Sequence, residues 1–404
     1  MSRLPLASSL TTHETTIETA APPLDHLKCE SRRLPANPGD NPAVRESDIG
    51  WKLPPFYCPI ESLIHRNVAE LERRAIAWVD KMDLYGNETD RAWGIANRCT
   101  DLMCRTIPYG RDEPLLLFIE WVHWALALDD WHDSGSHQPS RTAIVVELSA
   151  RIARALEAPG AIKVKSASLG VALEDLITRT WALTTPCQLR RFQEAVRDWL
   201  FGAAWMTGNT ERGIMPTLND YVAMRPSANG TRLNSTFSEI ANDIDVPPEA
   251  LYSAPVQAVT DVAGFIVSCD NDLFSYAKED SLDTPEQNIV NVIATDLGCS
   301  PAAALRDAVA LRDRTMTLFL RLRDKIRAGA CHDLIHYLDG LGHYIAGCIR
   351  WMNDAPRYAS PRNRHPLPVE GASYHISWRD SPSDPRIEAP PIPAAAWWWK
   401  QLED

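Results

Sequence analysis

Between residues 60 and 354, apolar side chains recur almost without pause at three- and four-residue spacing, and no alternating run competes. That periodicity predicts helices at about 60–84, 90–106, 113–132, 140–157, 169–184, 188–207, 231–243, 254–279, 284–298, 300–327 and 331–354. The breaks between them carry chain-turning residues, as in Pro108-Tyr109-Gly110, Pro226-Ser227-Ala228-Asn229-Gly230 and Val246-Pro247-Pro248. No repeat of about 20–50 residues is present, which argues against a solenoid. The expectation is one all-α domain spanning 51–360.

The two ends read differently. Residues 1–50 are rich in Thr, Ser, Glu and Pro with little periodicity, as in a mobile leader. Leu53-Pro54-Pro55-Phe56-Tyr57-Cys58-Pro59 is too dense in proline for a helix interior and too aromatic for a solvated linker, so it is expected to lie extended across the domain. Residues 361–404 form a Pro/Trp-rich tail ending in Trp397-Trp398-Trp399. Three adjacent indoles are costly to leave in water, so the tail is expected to dock on the body or on a partner.

Two polar clusters interrupt the apolar pattern. The segment Leu115 to Trp124 is apolar nearly all round and should be buried, yet it runs on into Asp129, Asp130 and Asp133. Carboxylates crowded at a buried helix end repel one another and lose solvation, and the helix dipole disfavours negative charge there. A bound cation removes each objection. The second cluster is Asn271, Ser275 and Glu279, at i, i+4 and i+8 on one helical face. An amide, a hydroxyl and a carboxylate suit a hard divalent ion such as Mg2+, which shares its remaining positions with water and phosphate. A solvated helix face that happens to carry these residues is the alternative.

Composition narrows the classes. With 404 residues and 45% hydrophobic content the chain can bury a sizeable core. Its net charge of -12, with no Lys/Arg stripe, argues against nucleic acid as a partner. There is no run of about 18 apolar residues and no signal-type apolar region, so no membrane span and a soluble, cytoplasmic protein are expected. The nine cysteines are scattered singly without CxxC pairs, as reduced thiols rather than a disulfide framework or metal ligands.

In order, spacing and helical context, Asp129-Asp130-Trp131-His132-Asp133 and Asn271-Asp272-x-x-Ser275-x-x-x-Glu279 resemble the paired metal motifs of class I terpene synthases in their microbial, single-domain form. The resemblance covers roughly 51–360 and implies a helical bundle with a central active-site cavity. It also implies three Mg2+ ions, with Mn2+ as a substitute. Asp129 would be a ligand, Asp133 a ligand or an acceptor behind one, and Asn271, Ser275 and Glu279 would hold another ion. Arg225 resembles the diphosphate-sensing arginine, Gly230 the small residue at the helix break after it, Lys278 the diphosphate-contacting lysine, and Arg357-Tyr358 the C-terminal Arg-Tyr pair. Pro226 departs from the pattern, since many relatives carry a second Arg there, which leaves the break geometry open.

The activity implied is ionisation and cyclisation of an acyclic isoprenoid diphosphate, farnesyl or geranylgeranyl, by a monomer or homodimer. A carbocation needs a dry wall of aromatic faces. Phe118 and Val122, on the helical face of Asp129, together with Phe265 and Trp351 are the candidates. Most of the 14 Trp, including Trp121, Trp124 and Trp131, are expected in the core.

Four other readings fit less well. A chain-elongating prenyl diphosphate synthase requires two aspartate-rich clusters, and the second site here is Asn/Ser/Glu. A class II cyclase requires a DxDD motif that is not found in an appropriate domain. A metal phosphohydrolase built on His132 and Asp133 requires further His ligands, and His123 and His137 have no obvious complementary pair. A non-catalytic helical module would leave every one of these polar positions without a use.

Overall fold

A computed structural model describes residues 52–133, 140–164, 167–279, 286–359, 366–369 and 373–403, apart from the side chains of 130–133, 167 and 277–279. The expected leader lies outside the described residues. In chain order the elements are β1 (Phe56–Tyr57), α1 (Val68–Lys81), α2 (Glu88–Ala96), α3 (Cys99–Thr106), α4 (Asp112–Asp133), α5 (Arg141–Glu157), α6 (Ala167–Leu183), α7 (Pro186–Glu211) and α8 (Leu218–Ala228). They continue with α9 (Thr231–Ala241), α10 (Pro248–Leu251), α11 (Ala254–Glu279), α12 (Ile289–Leu297), α13 (Pro301–Arg327), α14 (His332–Asp354), α15 (Pro356–Ala359), β2 (Trp378–Arg379) and α16 (Pro393–Glu403). The architecture is all-α. No helix among the described residues is long and apolar enough to cross a membrane.

Local chemistry sets many of the boundaries. Thr185 and Gln188 form a reciprocal capping box at the start of α7, with Pro186 in the first turn, and Ser300 with Pro301 opens α13 in a related way. Where the structure departs from the periodicity, a specific residue is responsible. Residues 60–67 do not extend α1, because His65 is held outside the helix: its N–H donates to the Cys104 carbonyl and its ring bonds the Gly110 carbonyl. The single helix expected over 90–106 splits at Arg98, which is left-handed at φ 54°. Helix α8 was not expected, because Pro226 reads as a breaker. It occupies the last turn of α8 instead, and the chain breaks at Gly230, left-handed at φ 71°.

Two apolar clusters make up the core. One gathers α1, α3, α4, α5, α6 and α7 with Phe237, Ile240 and Ala241 of α9. The other gathers α8, α11, α12, α13, α14 and α16. Leu115 through Trp121 are all buried, as the apolar run of α4 requires, and Trp124 is fully enclosed beside Trp121. Trp78, Trp93, Trp351, Trp398 and Trp399 are buried too, whereas Trp181, Trp205, Trp378 and Trp397 are exposed.

The C-terminal tail docks on the body. β2 pairs in parallel with β1, Phe56 opposite Trp378, giving a ladder too short for any periodicity to reveal. Arg312, fully buried on α13, grips both Asp270 carboxylate oxygens at 2.8 and 3.0 Å and also bonds the Tyr57 carbonyl. Ser383 donates its N–H and hydroxyl to Asp313 at 2.8 and 2.7 Å. Helix α16, opened by Pro393, buries Trp398 against Phe265 and Trp399 beside the Arg314 guanidinium. The β1 segment and the C-terminal tail thereby brace α11 from behind.

Candidate active site

Asn271 lies two turns from the end of α11, and its amide joins two other elements. Its oxygen accepts from Arg225 Nη2 of α8 at 3.1 Å, and its nitrogen donates to the Tyr358 hydroxyl of α15 at 2.8 Å. The neighbouring Arg357 approaches Asp129 of α4 to 4.0 Å. Arg225, Asn271, Tyr358, Arg357 and Asp129, separated by up to 229 residues of chain, thus form one continuous polar rim. Asp129 is half-exposed there, with 53% of its side chain accessible. Ser275, one turn beyond Asn271, is buried and donates to the Asp272 carbonyl at 3.4 Å. The side chains of Asp133, Lys278 and Glu279 lie outside the described residues, although α4 and α11 run through these positions.

Close approaches set the break between α8 and α9 against α7 and α11. A Cβ on Gly264 would stand 2.2 Å from Thr231 Oγ1, and one on Gly202 would stand 2.3 Å from the Ala228 amide nitrogen. Only glycine lets α11 and α7 come this near, and Gly230 supplies the positive φ that turns the chain between them. The break therefore follows from packing at two glycines and backbone freedom at a third.

The residue that sequence reasoning passed over is Asp272. Its buried carboxylate accepts from Arg225 Nη2 at 2.6 Å, Tyr221 Oη at 2.5 Å and the Ile289 N–H at 2.7 Å. Burial, reinforced by Asp272, pushes the Tyr221 phenol well above its usual range, so it stays protonated and donates. The available signal was an aspartate directly after Asn271 and just before the apolar pair Leu273-Phe274.

The four pocket candidates divide. Trp351 is buried, donates its indole N–H to the Asn97 carbonyl at 2.8 Å and meets Tyr358 edge-on with ring centres 5.5 Å apart. Val122 is half-buried on the α4 face that leads to Asp129. Phe118 is fully buried, stacked on Phe237 at 4.2 Å. Phe265 packs between Tyr221 and Trp398, which places it behind α11 in the contact with the tail rather than with Asn271. A separate cavity of about 240 Å3 between α7, α9 and α11 contains none of the rim residues, and its arginines are already paired, Arg191 with Glu239 in the wall and Arg232 with Asp261 outside it.

The donors on α4 and α11 fit a hard divalent ion. They are carboxylate, amide and hydroxyl oxygens, with no soft ligand among them. Among the described residues no group of three or more His, Cys, Asp or Glu is placed to hold a metal ion.

The fold is all-helical, and its rim gathers carboxylate, amide and guanidinium groups from α4, α8, α11 and α15. Residues 120–317 match the terpene synthase family 2, C-terminal metal-binding family. Spiroviolene synthase of Streptomyces violens is 35% identical over 349 residues, covering 86% of this chain and 96% of that protein. Bonnadiene synthase of Allokutzneria albata is 31% identical, covering 86% and 97%. The crystal structure of the SVS_A2 protein from ancestral sequence reconstruction aligns with a TM-score of 0.74 at 36% identity, covering 86% of this chain and 99% of that one. The chain belongs to the microbial class I terpene synthase family, and it is accordingly a lyase.

Proposed function

We propose that this enzyme ionises an acyclic isoprenoid diphosphate, farnesyl or geranylgeranyl diphosphate, and cyclises the resulting cation to a terpene hydrocarbon or alcohol with release of diphosphate. The observation that carries the reading is the rim itself, in which Arg225, Asn271 and Tyr358 are hydrogen-bonded in series and Arg357 stands against Asp129.

Asp129 and Asp133 on one wall, and Asn271, Ser275 and Glu279 on the other, would hold Mg2+, three ions in all, with Mn2+ able to substitute. Bound metal supplies Lewis-acid stabilisation of the departing diphosphate. Arg225, Lys278 and Arg357 donate charge-assisted hydrogen bonds to its oxygens, the arginines through planar, two-pronged groups, and Tyr358 adds a neutral donor. Gly230 gives the break below Arg225 its shape. Behind the rim, Trp351 and Val122 wall a central cavity that excludes water, and the Trp351 and Tyr358 ring faces stabilise positive charge as it migrates. Proton loss or water capture ends the cascade. Phe118 and Phe265 support this wall from the core.

The enzyme is proposed to act in the cytoplasm as a monomer or homodimer, in keeping with eight described cysteines that are all free thiols. Incubation of the purified protein with C10, C15 and C20 diphosphates and Mg2+ or Mn2+, followed by mass spectrometry of the extracts, tests the activity and sets the chain length. A cyclised product from the C15 or C20 substrate is expected. Recovery of every substrate uncyclised with both metals would refute the proposal.

A further inference from the structure

Asn271 and Asp272 are neighbours in sequence with opposite duties. Asn271 bonds Arg225 and Tyr358 in the rim, whereas the Asp272 side chain is 2% exposed and faces α8 and α12. Two of its three donors, Tyr221 and Arg225, stand one turn apart on α8. The third, the Ile289 N–H, opens the nine-residue helix α12, so the carboxylate also sits in the favourable field of that helix terminus. Its main-chain carbonyl accepts from Asn288 Nδ2 at 2.7 Å. The carboxylate is therefore fixed from three directions, and Arg225 Nη2 is shared between it and the Asn271 oxygen.

An arginine carries considerable rotamer freedom, which binding would otherwise have to remove. A carboxylate already locked against one edge of the guanidinium removes part of it beforehand and aims the remaining N–H groups. We propose that Asp272 is a positioning residue that presents Arg225 to the substrate's diphosphate, tying the sensor helix α8, the metal helix α11 and the start of α12 into one unit. The proposal rests on the reading that Arg225 contacts diphosphate.

The test is titration calorimetry of inorganic diphosphate with Mg2+ into the wild type, Arg225→Ala, Asp272→Asn and the double variant, with a thermal melt of each. Asp272→Asn is expected to weaken binding about tenfold or more. In the Arg225→Ala background the same change should add less than about twofold, because it acts only through Arg225. Unchanged affinity in Asp272→Asn would overturn the proposal, and so would losses that multiply in the double variant. If Asp272→Asn does not fold, Tyr221→Phe loosens the same carboxylate. Weaker binding by Tyr221→Phe that disappears in the Arg225→Ala background supports the assignment, and unchanged binding overturns it. Arg225→Ala binding as tightly as the wild type would instead bring down the reading of the site, and the proposal with it.

Discussion

Replacing Arg312 with Met keeps much of the side chain's length and removes its charge at a position that is 1% exposed. In the wild type, that guanidinium satisfies both oxygens of Asp270, approaches Asp313 at 3.2 Å, bonds the Tyr57 carbonyl and lies over the Phe56 ring. Met offers none of these donors. Asp270 would remain a fully enclosed carboxylate whose pKa burial already pushes upward, now without the cation that opposes the shift. Breaking one partner of a buried pair costs about 3–5 kcal/mol. At about 2.1 cal/mol/K per residue over roughly 330 described residues, the melting temperature should fall by about 4–7 °C, read by calorimetry or circular dichroism. Asp270→Leu combined with Arg312→Met should lose less than Arg312→Met alone, because no unpaired charge is left behind. A single variant melting within about 1 °C of wild type, or a double variant whose loss equals the sum of the single losses, would refute this account of how the β1 segment and the C-terminal tail brace α11.

Three further outcomes are expected. Gly264→Ala forces a methyl group into Thr231 and should cost about 1–3 kcal/mol in a thermal melt while lowering turnover, since it displaces the break beside Arg225. His123 is fully enclosed, and burial pushes its pKa down to about 4, so the folded protein holds it neutral while the unfolded chain takes up a proton below about pH 6.5. Its effect on stability is therefore constant above that pH and becomes steadily unfavourable as pH falls from about 6.5 to 4, by up to roughly 3 kcal/mol; His123→Asn should flatten that part of a urea-unfolding pH profile, and an unchanged slope would count against it. Trp398→Ala, in the contact with Phe265, should cost about 3–5 kcal/mol in urea unfolding, whereas a merely peripheral tail would lose almost nothing.

What was legible in the sequence follows the range of the forces involved. Helices α4, α11, α13 and α14 were readable nearly to the residue, because each buries a long apolar stripe that imposes its own period. Asn271, Arg225 and Tyr358 were readable as a group only through the family resemblance, since nothing local says that α8, α11 and α15 meet. Helix α8 was missed at Pro226, where last-turn placement makes proline tolerable, and α16 was hidden by the prolines before it. The β1–β2 ladder and the Arg312–Asp270 pair depend on residues 42 to 322 positions apart, beyond any local signal. Phe265 illustrates the converse. Its place on α11 suggested the pocket, but side-chain direction around the helix sends it to the tail.

The most direct test of the central claim compares Asn271→Ala with wild type, measuring diphosphate release and cyclised product together over a range of Mg2+ concentrations, with circular dichroism to establish that the fold is kept. Because Asn271 links Arg225 to Tyr358 and would be a metal ligand, the account predicts a folded variant in which release and cyclisation are lost together. A folded variant that still cyclises, with unchanged dependence on Mg2+, would contradict it.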